Sequence, residues 1–223
     1  LVAVTALLLA APAAIAQDTC PPACAGKTLV TPNFSHSDLA NANFEGATIV
    51  GGAFIRARLT NANFKGARFQ AEPGHPTQTP DFTFADLSHA AFVGAIFSAP
   101  TYFTYATLTC ADFSRTDLAG GNAVFGDGPL AYGKPATAGC RTRFEGATMN
   151  CEFIDDWRNF DLTGANVRAC LAQLAGRDFS FALMAQVNFS DAYLAGVNFS
   201  HAQLQKATLS RANLTGAHLT GAD

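Results

Sequence analysis

Cysteine and histidine are the residues of this 223-residue chain best suited to chemistry, and their spacing narrows what that chemistry is. Cys20, Cys24, Cys110, Cys140, Cys151 and Cys170 have three uses open to them: crosslinking, metal binding or nucleophilic attack. Zinc sites draw ligands from closely spaced pairs. Neither C-x-x-C nor His-x-His occurs here, so no metal is expected. His36, His75, His89, His201 and His218 are scattered, and no G-x-S-x-G motif accompanies them. No catalytic or cofactor-binding residue is assigned, and the chain is expected not to be an enzyme. The cysteines then read as disulfides, which need an oxidising compartment.

The N-terminal segment points to such a compartment. Leu1–Ala16, LVAVTALLLAAPAAIA, is apolar and ends in Ala14-Ile15-Ala16, the small-x-small pattern of a signal-peptidase site, just before Gln17-Asp18. A membrane span needs about 20 apolar residues, and a polar, Pro-containing stretch follows here at once. Gln17-Asp18-Thr19 is no lipobox for Cys20. Residues 1–16 therefore read as a signal peptide, and the rest as periplasmic or secreted, with no membrane attachment after cleavage. Without a basic n-region or an initiating Met, the reading expects a longer frame upstream. Cleavage removes no charge, so the exported part keeps the net −3. Charged residues make up 14%, against about 25% for ordinary soluble domains, and neither sign dominates. Nucleic-acid binding is not expected.

Whatever the cysteines do, a repeat must position them. From Phe34 a large apolar residue returns at every fifth position: Leu39, Phe44, Ile49, Phe54, Leu59, Phe64, Phe69. A small residue sits two before most of them, as at Ala42, Ala47, Gly52, Ala57, Ala62 and Ala67. The same beat runs unbroken from Leu174 through Phe179, Met184, Phe189, Leu194, Phe199, Leu204, Leu209 and Leu214 to Leu219. Shorter runs cover Phe82–Phe97, Phe103–Leu118, Phe144–Met149 and Leu162–Val167. A period of five suits neither regular element. On an α-helix every fifth residue drifts by about 140° per step, and on a strand it flips faces. A chain that turns one corner per unit keeps all of them pointing inward, and that is a solenoid.

The unit, A-(D/N)-(L/F)-x-x, resembles that of the pentapeptide-repeat family. The resemblance covers Pro32–Asp223 and implies an all-β fold: a right-handed quadrilateral β-helix, one domain, in which four units make a coil. It also implies that the large residue fills the interior beside the small one. A twenty-residue coil would stack Phe34 on Phe54, Leu39 on Leu59, Phe44 on Phe64 and Ile49 on Phe69, about 4.8 Å apart. The Asn and Asp before the large residue (Asn43, Asn63, Asp86, Asp112, Asp117, Asn188, Asn198, Asn213) are expected to bond nearby backbone rather than to catalyse.

Residues 17–31 then form an N-terminal cap and 32–223 the solenoid, with insertions near 70–80, 126–141 and 153–160. The first two, QAEPGHPTQTP and GDGPLAYGKPATAGCR, are Gly/Pro-rich surface loops. The third, FIDDWRNF, is aromatic and charged, and makes Asp155, Asp156, Trp157 and Arg158 the candidate interaction residues. Its competing reading is a slipped coil with Trp157 filling the interior. Cys20 and Cys24 are placed to staple the cap. Cys151 and Cys170 lie nineteen residues apart, near one implied coil and so near disulfide distance. Cys110 with Cys140 would pin the second loop.

The expected function is an exported scaffold that binds an unidentified protein partner through its faces and loops. The alternative comes from the family: mimicry of duplex DNA to bind type II topoisomerase. That needs acidic stripes, which Arg56, Arg58, Arg68, Arg115, Arg143, Arg158, Arg168, Arg177 and Arg211 interrupt. The last units lack a cap, so the reading expects the natural chain to continue past Asp223. An end-to-end homodimer is the alternative.

Overall fold

The Asn or Asp before each large apolar residue starts the local structure. Its side-chain oxygen accepts the N–H two residues on: Glu45 to Asn43 at 3.1 Å, Lys65 to Asn63 at 3.1 Å, Ser88 to Asp86 at 3.0 Å, Ser190 to Asn188 at 2.9 Å. The large residue's carbonyl then accepts the N–H three on, as from Ala47 to Phe44 at 3.0 Å, closing a turn. The third residue of that turn must be left-handed. Gly46 meets this freely at φ 63°, while Arg56 and Phe84 hold φ 55° and 60°. Such a backbone costs a non-glycine residue about 1–2 kcal/mol, so neighbouring coils must hold it in place.

The computed structural model describes residues 20–118, 123–125, 140–149 and 157–223. Residues 1–16, read from the sequence as a signal peptide, residues 126–139 of the second insertion, Cys151, Asp155 and Asp156 lie outside the described residues. Strands β1 (Thr28–Val30), β2 (Thr48–Val50), β3 (Arg68–Gln70) and β4 (Ile96–Phe97) form one parallel sheet in sequence order. A second parallel pair joins β5 (Thr101–Tyr102) to β6 (Ala123–Val124). A 3-10 turn spans Arg168–Cys170. Among the described residues no helix is long and apolar enough to cross a membrane.

The predicted stacking is borne out: Ile49 pairs with Phe69, and single bridges join Asn33 to Ala53, Asp38 to Arg58 and Asn43 to Asn63. Each of these is a twenty-residue step. The step then varies, while the ladder does not slip. Ala53 bridges Asp81 across the first insertion, Asp81 bridges Tyr102, Asp112 bridges Arg143, and Arg143 bridges Asp161. The first insertion is pushed outward. Residues 71–78 make an exposed loop closed on itself by Glu72 N–H to Gln78 O at 3.0 Å.

Inside, the phenylalanines stack in columns. Phe44 and Phe64 lie parallel at 4.7 Å, Phe64 and Phe92 at 4.8 Å, Phe92 and Phe113 at 4.7 Å. Neighbouring columns meet edge to face, as Phe64 with Phe82 at 5.7 Å and 87°. Both geometries suit the ring quadrupole and contribute about 0.5–1.5 kcal/mol per pair beyond burial. Ala42, Ala47, Ala57, Ala62 and Ala67 fill the corners and are fully buried.

The 153–160 segment departs from the beat. Trp157 and Phe160 both point inward and are fully buried, Trp157 packing on Phe179 at 5.3 Å and Phe160 on Phe144 at 5.3 Å. Phe160 takes the slot two before Leu162 that alanine holds in other coils.

Candidate functional site

The left-handed corner residues point outward, and each corner recurs once per coil, so the backbone lines them up in rows. After the first large residue of each coil the row runs His36, Arg56, Phe84, Tyr105, joined by His36 N–H to Ile55 O, Arg56 N–H to Thr83 O and Phe84 N–H to Thr104 O. Phe84 and Tyr105 stack at 5.0 Å, and the Arg56 guanidinium carbon lies 5.2 Å from the Phe84 ring centre. Phe84 is 47% exposed and Tyr105 43%. These are large rings set out in solvent by a rigid frame. A second row stacks Phe181 on His201 at 4.9 Å, with Arg141 donating from Nη1 to the Phe181 carbonyl at 2.6 Å.

Charges on the faces pair between coils. Arg58 meets Asp38 at 2.9 Å, and Arg211 grips Asp191 through Nε at 2.7 Å and Nη2 at 2.8 Å. Arg143 reaches Glu145, Asp112 and Asp161 together. The Ala40 backbone N–H, and then Arg58, hold the Asp38 carboxyl below the usual carboxylate range. Arg211 does the same for Asp191 and is itself raised by the pairing, as Arg143 is chiefly by Glu145.

Of the interaction residues expected from the sequence, Trp157 sits in the core rather than on a surface a partner can touch. The slipped coil is the reading that its position fits. Arg158 is half exposed, with Nε 4.0 Å from Asp178. Asp155 and Asp156 are outside the described residues. Cys20 and Cys24 stand at disulfide distance with Cα atoms 5.1 Å apart, and Cys110 and Cys140 at 5.3 Å. Cys170 is buried, and Cys151 lies outside the described residues.

The family model described as pentapeptide repeats matches residues 37–70 and 172–211, in eight copies. The chain carries pentapeptide repeats. This pentapeptide-repeat protein finds no match among curated protein sequences. Its fold is similar to that of solved relatives. A trypsin-treated variant of QnrB1, a plasmid-mediated fluoroquinolone resistance protein, is 19% identical with a TM-score of 0.56, over 90% of this chain and 89% of that one. HetL, a pentapeptide-repeat protein involved in heterocyst differentiation regulation in a Nostoc cyanobacterium, is 19% identical at a TM-score of 0.39, over 88% and 84%. The first likeness supports the right-handed quadrilateral β-helix; the second is too loose to add to it.

The aromatic row of the pentapeptide-repeat protein was not singled out from its sequence, although a signal is there. Phe84, Tyr105 and Phe181 each stand two residues after an inward Phe (Phe82, Phe103, Phe179), where the other units carry small, polar or charged residues such as Gly, Asn, His or Arg.

Proposed function

We propose that this pentapeptide-repeat protein is an exported, non-enzymatic scaffold that binds a protein partner along its outer corners. The observation that carries the reading is the exposed row Arg56–Phe84–Tyr105. Aromatic and arginine side chains dominate binding energy at protein interfaces. Here they are held by backbone and by one another, so little side-chain entropy is lost on contact. Arg158 offers a further charged contact on the same shaft; Asp155 and Asp156, close to it in sequence, are proposed to contribute with it. Export rests on Leu1–Ala16 and on the even set of cysteines.

Mimicry of duplex DNA, acting on a type II topoisomerase, is less well supported. Asp38, Asp112, Asp161 and Asp191 are each matched by an arginine on a neighbouring coil, which breaks up the acidic stripe a mimic needs.

Two measurements in the native host test the halves separately. Fractionation of cells expressing the full reading frame is expected to find the protein outside the cytoplasm; retention inside overturns export. A photoreactive residue in place of Tyr105 is expected to give one discrete protein adduct, lost on Arg56→Ala/Phe84→Ala. Adducts from positions on other faces but none from Tyr105 would overturn the assignment of this row.

A further inference from the structure

We propose that His89, Cys110 and Cys140 form a redox-gated site for a thiophilic divalent cation, with Zn2+ the natural fit. Their donor atoms, one nitrogen and two sulfurs, all lie within 4.8 Å of one another. Among the described residues they are the one such cluster of three ligating side chains. Spacing rules missed it because the ligands are 21 and 30 residues apart, and the coil brings them together.

The frame holds all three. His89 and Cys110 are successive members of one corner row, both left-handed at φ 60° and 61°, with His89 N–H bonded to Thr109 O at 2.8 Å. Asn41 and Asn61 occupy the same row lower down. Cys140 is held from the next residues on: Arg141 bonds the Phe181 carbonyl at 2.6 Å, and the buried Thr142 hydroxyl bonds the Leu108 carbonyl at 2.7 Å. His89 is exposed and both cysteines are half-buried, so a cation can enter from solvent.

The donor set selects the ion. Thiolate and imidazole favour zinc over the hard cations that take oxygen ligands. Bond lengths of about 2.3 Å to sulfur and 2.0–2.1 Å to nitrogen come within reach of these donors once reduction frees the two sulfurs, bonded to each other in the oxidised site, to move apart. Three protein ligands leave a fourth position for water or for a partner's side chain.

The disulfide closes the site, because its sulfurs carry no thiolate. A dithiol reductant opens it. Two electrons and two protons convert the Cys110–Cys140 bond into two thiols, and the reductant departs as its own disulfide. Zn2+ then displaces both thiol protons to solvent and takes neutral His89 as its third ligand.

The test uses the intact chain, reduced and freed of metal, with Zn2+ or Co2+ alone as probe. Alkylation is followed cysteine by cysteine by peptide mass spectrometry. One equivalent of Zn2+ is expected to slow Cys110 and Cys140 by at least about 10-fold and to change the rate at no other cysteine. Co2+ is expected to give thiolate charge-transfer and tetrahedral d–d bands in the reduced chain only. His89→Asn suits this corner, as Asn41 and Asn61 show, and so should leave the fold intact. Losing a direct ligand should weaken Co2+ binding beyond the roughly 10–100-fold typical of outer-shell changes. Equal protection of every cysteine, no protection at all, binding by the oxidised chain, or unchanged affinity in His89→Asn would each overturn the proposal.

Discussion

Removing the ring of Phe64 should cost more than almost any other truncation in the shaft. Phe64 is fully buried, stacked between Phe44 at 4.7 Å and Phe92 at 4.8 Å, and edge-on to Phe54 at 6.3 Å and Phe82 at 5.7 Å. Phe→Ala in a core typically costs about 3–5 kcal/mol, the upper end applying where neighbours cannot close the cavity. Here they cannot. The rings above and below are fixed by ladder bonds of 2.7 Å, Phe44 N–H to Asn63 O and Phe64 N–H to Ala91 O. Phe64→Ala should therefore lose about 4–5 kcal/mol, including the stacking pairs. With a urea slope of about 2–3 kcal/mol/M, the unfolding midpoint should fall by roughly 1.3–2.5 M. Circular dichroism reports the sheet, and fluorescence of Trp157, the single tryptophan, reports a distant coil. Phe84→Ala is the matched control: the same deletion at a half-exposed corner should cost about 1 kcal/mol or less. Equal losses in the two variants, or a loss below about 1 kcal/mol for Phe64→Ala, would refute the continuous aromatic column.

Two further outcomes follow from the turns and the charges. A Cβ at Gly52, φ 98°, would meet Pro32 Cδ at 2.7 Å and Cγ at 2.8 Å, whereas at Gly66 it meets nothing within 4 Å. Gly66→Ala should thus pay only the left-handed backbone cost of about 1–2 kcal/mol, and Gly52→Ala clearly more in the same urea melt; equal values would contradict the packing of Gly52 on Pro32. Asp38 and Asp191 have folded pKa values below their unfolded ones, so their contribution is present above the unfolded value of about 3.9 and is lost as pH falls through the folded values. Asp38→Asn/Asp191→Asn should accordingly show a flatter acid limb of Tm against pH than the parent, the difference shrinking in high salt. An identical limb would mean that these exposed pairs contribute nothing.

The fold was legible because its inward positions obey one rule. Phe34, Leu39, Phe44 and Ile49 recur at a period no helix or strand tolerates, and Asn43 or Asn63 announces each turn. Trp157 and Phe160 were harder to place. They lie three residues apart and both face inward, which a strict count of five cannot produce, and Phe160 displaces a corner alanine. The site was least legible, because contact between coils depends on coil length. Phe84 meets Tyr105, and His89 meets Cys110, only after the 28-residue step has been absorbed and a 21-residue step has followed. No local spacing encodes that arithmetic; it emerges once the backbone ladder is laid down.

The constant cross-section of the shaft sets how its stability scales. In a globular domain the buried fraction rises with chain length, so size itself is stabilising until the core stops growing. Here each interior coil adds about four inward side chains and another ring of backbone bonds, so the burial gained with each added coil does not depend on length. Stability grows coil by coil as a sum of neighbour terms. Once enough coils are stacked to cover one another, no size optimum comes from the core. The number of coils is free to be set by whatever the shaft must span, and a twenty-residue duplication or deletion taken at matching corners changes reach while leaving every remaining contact in place.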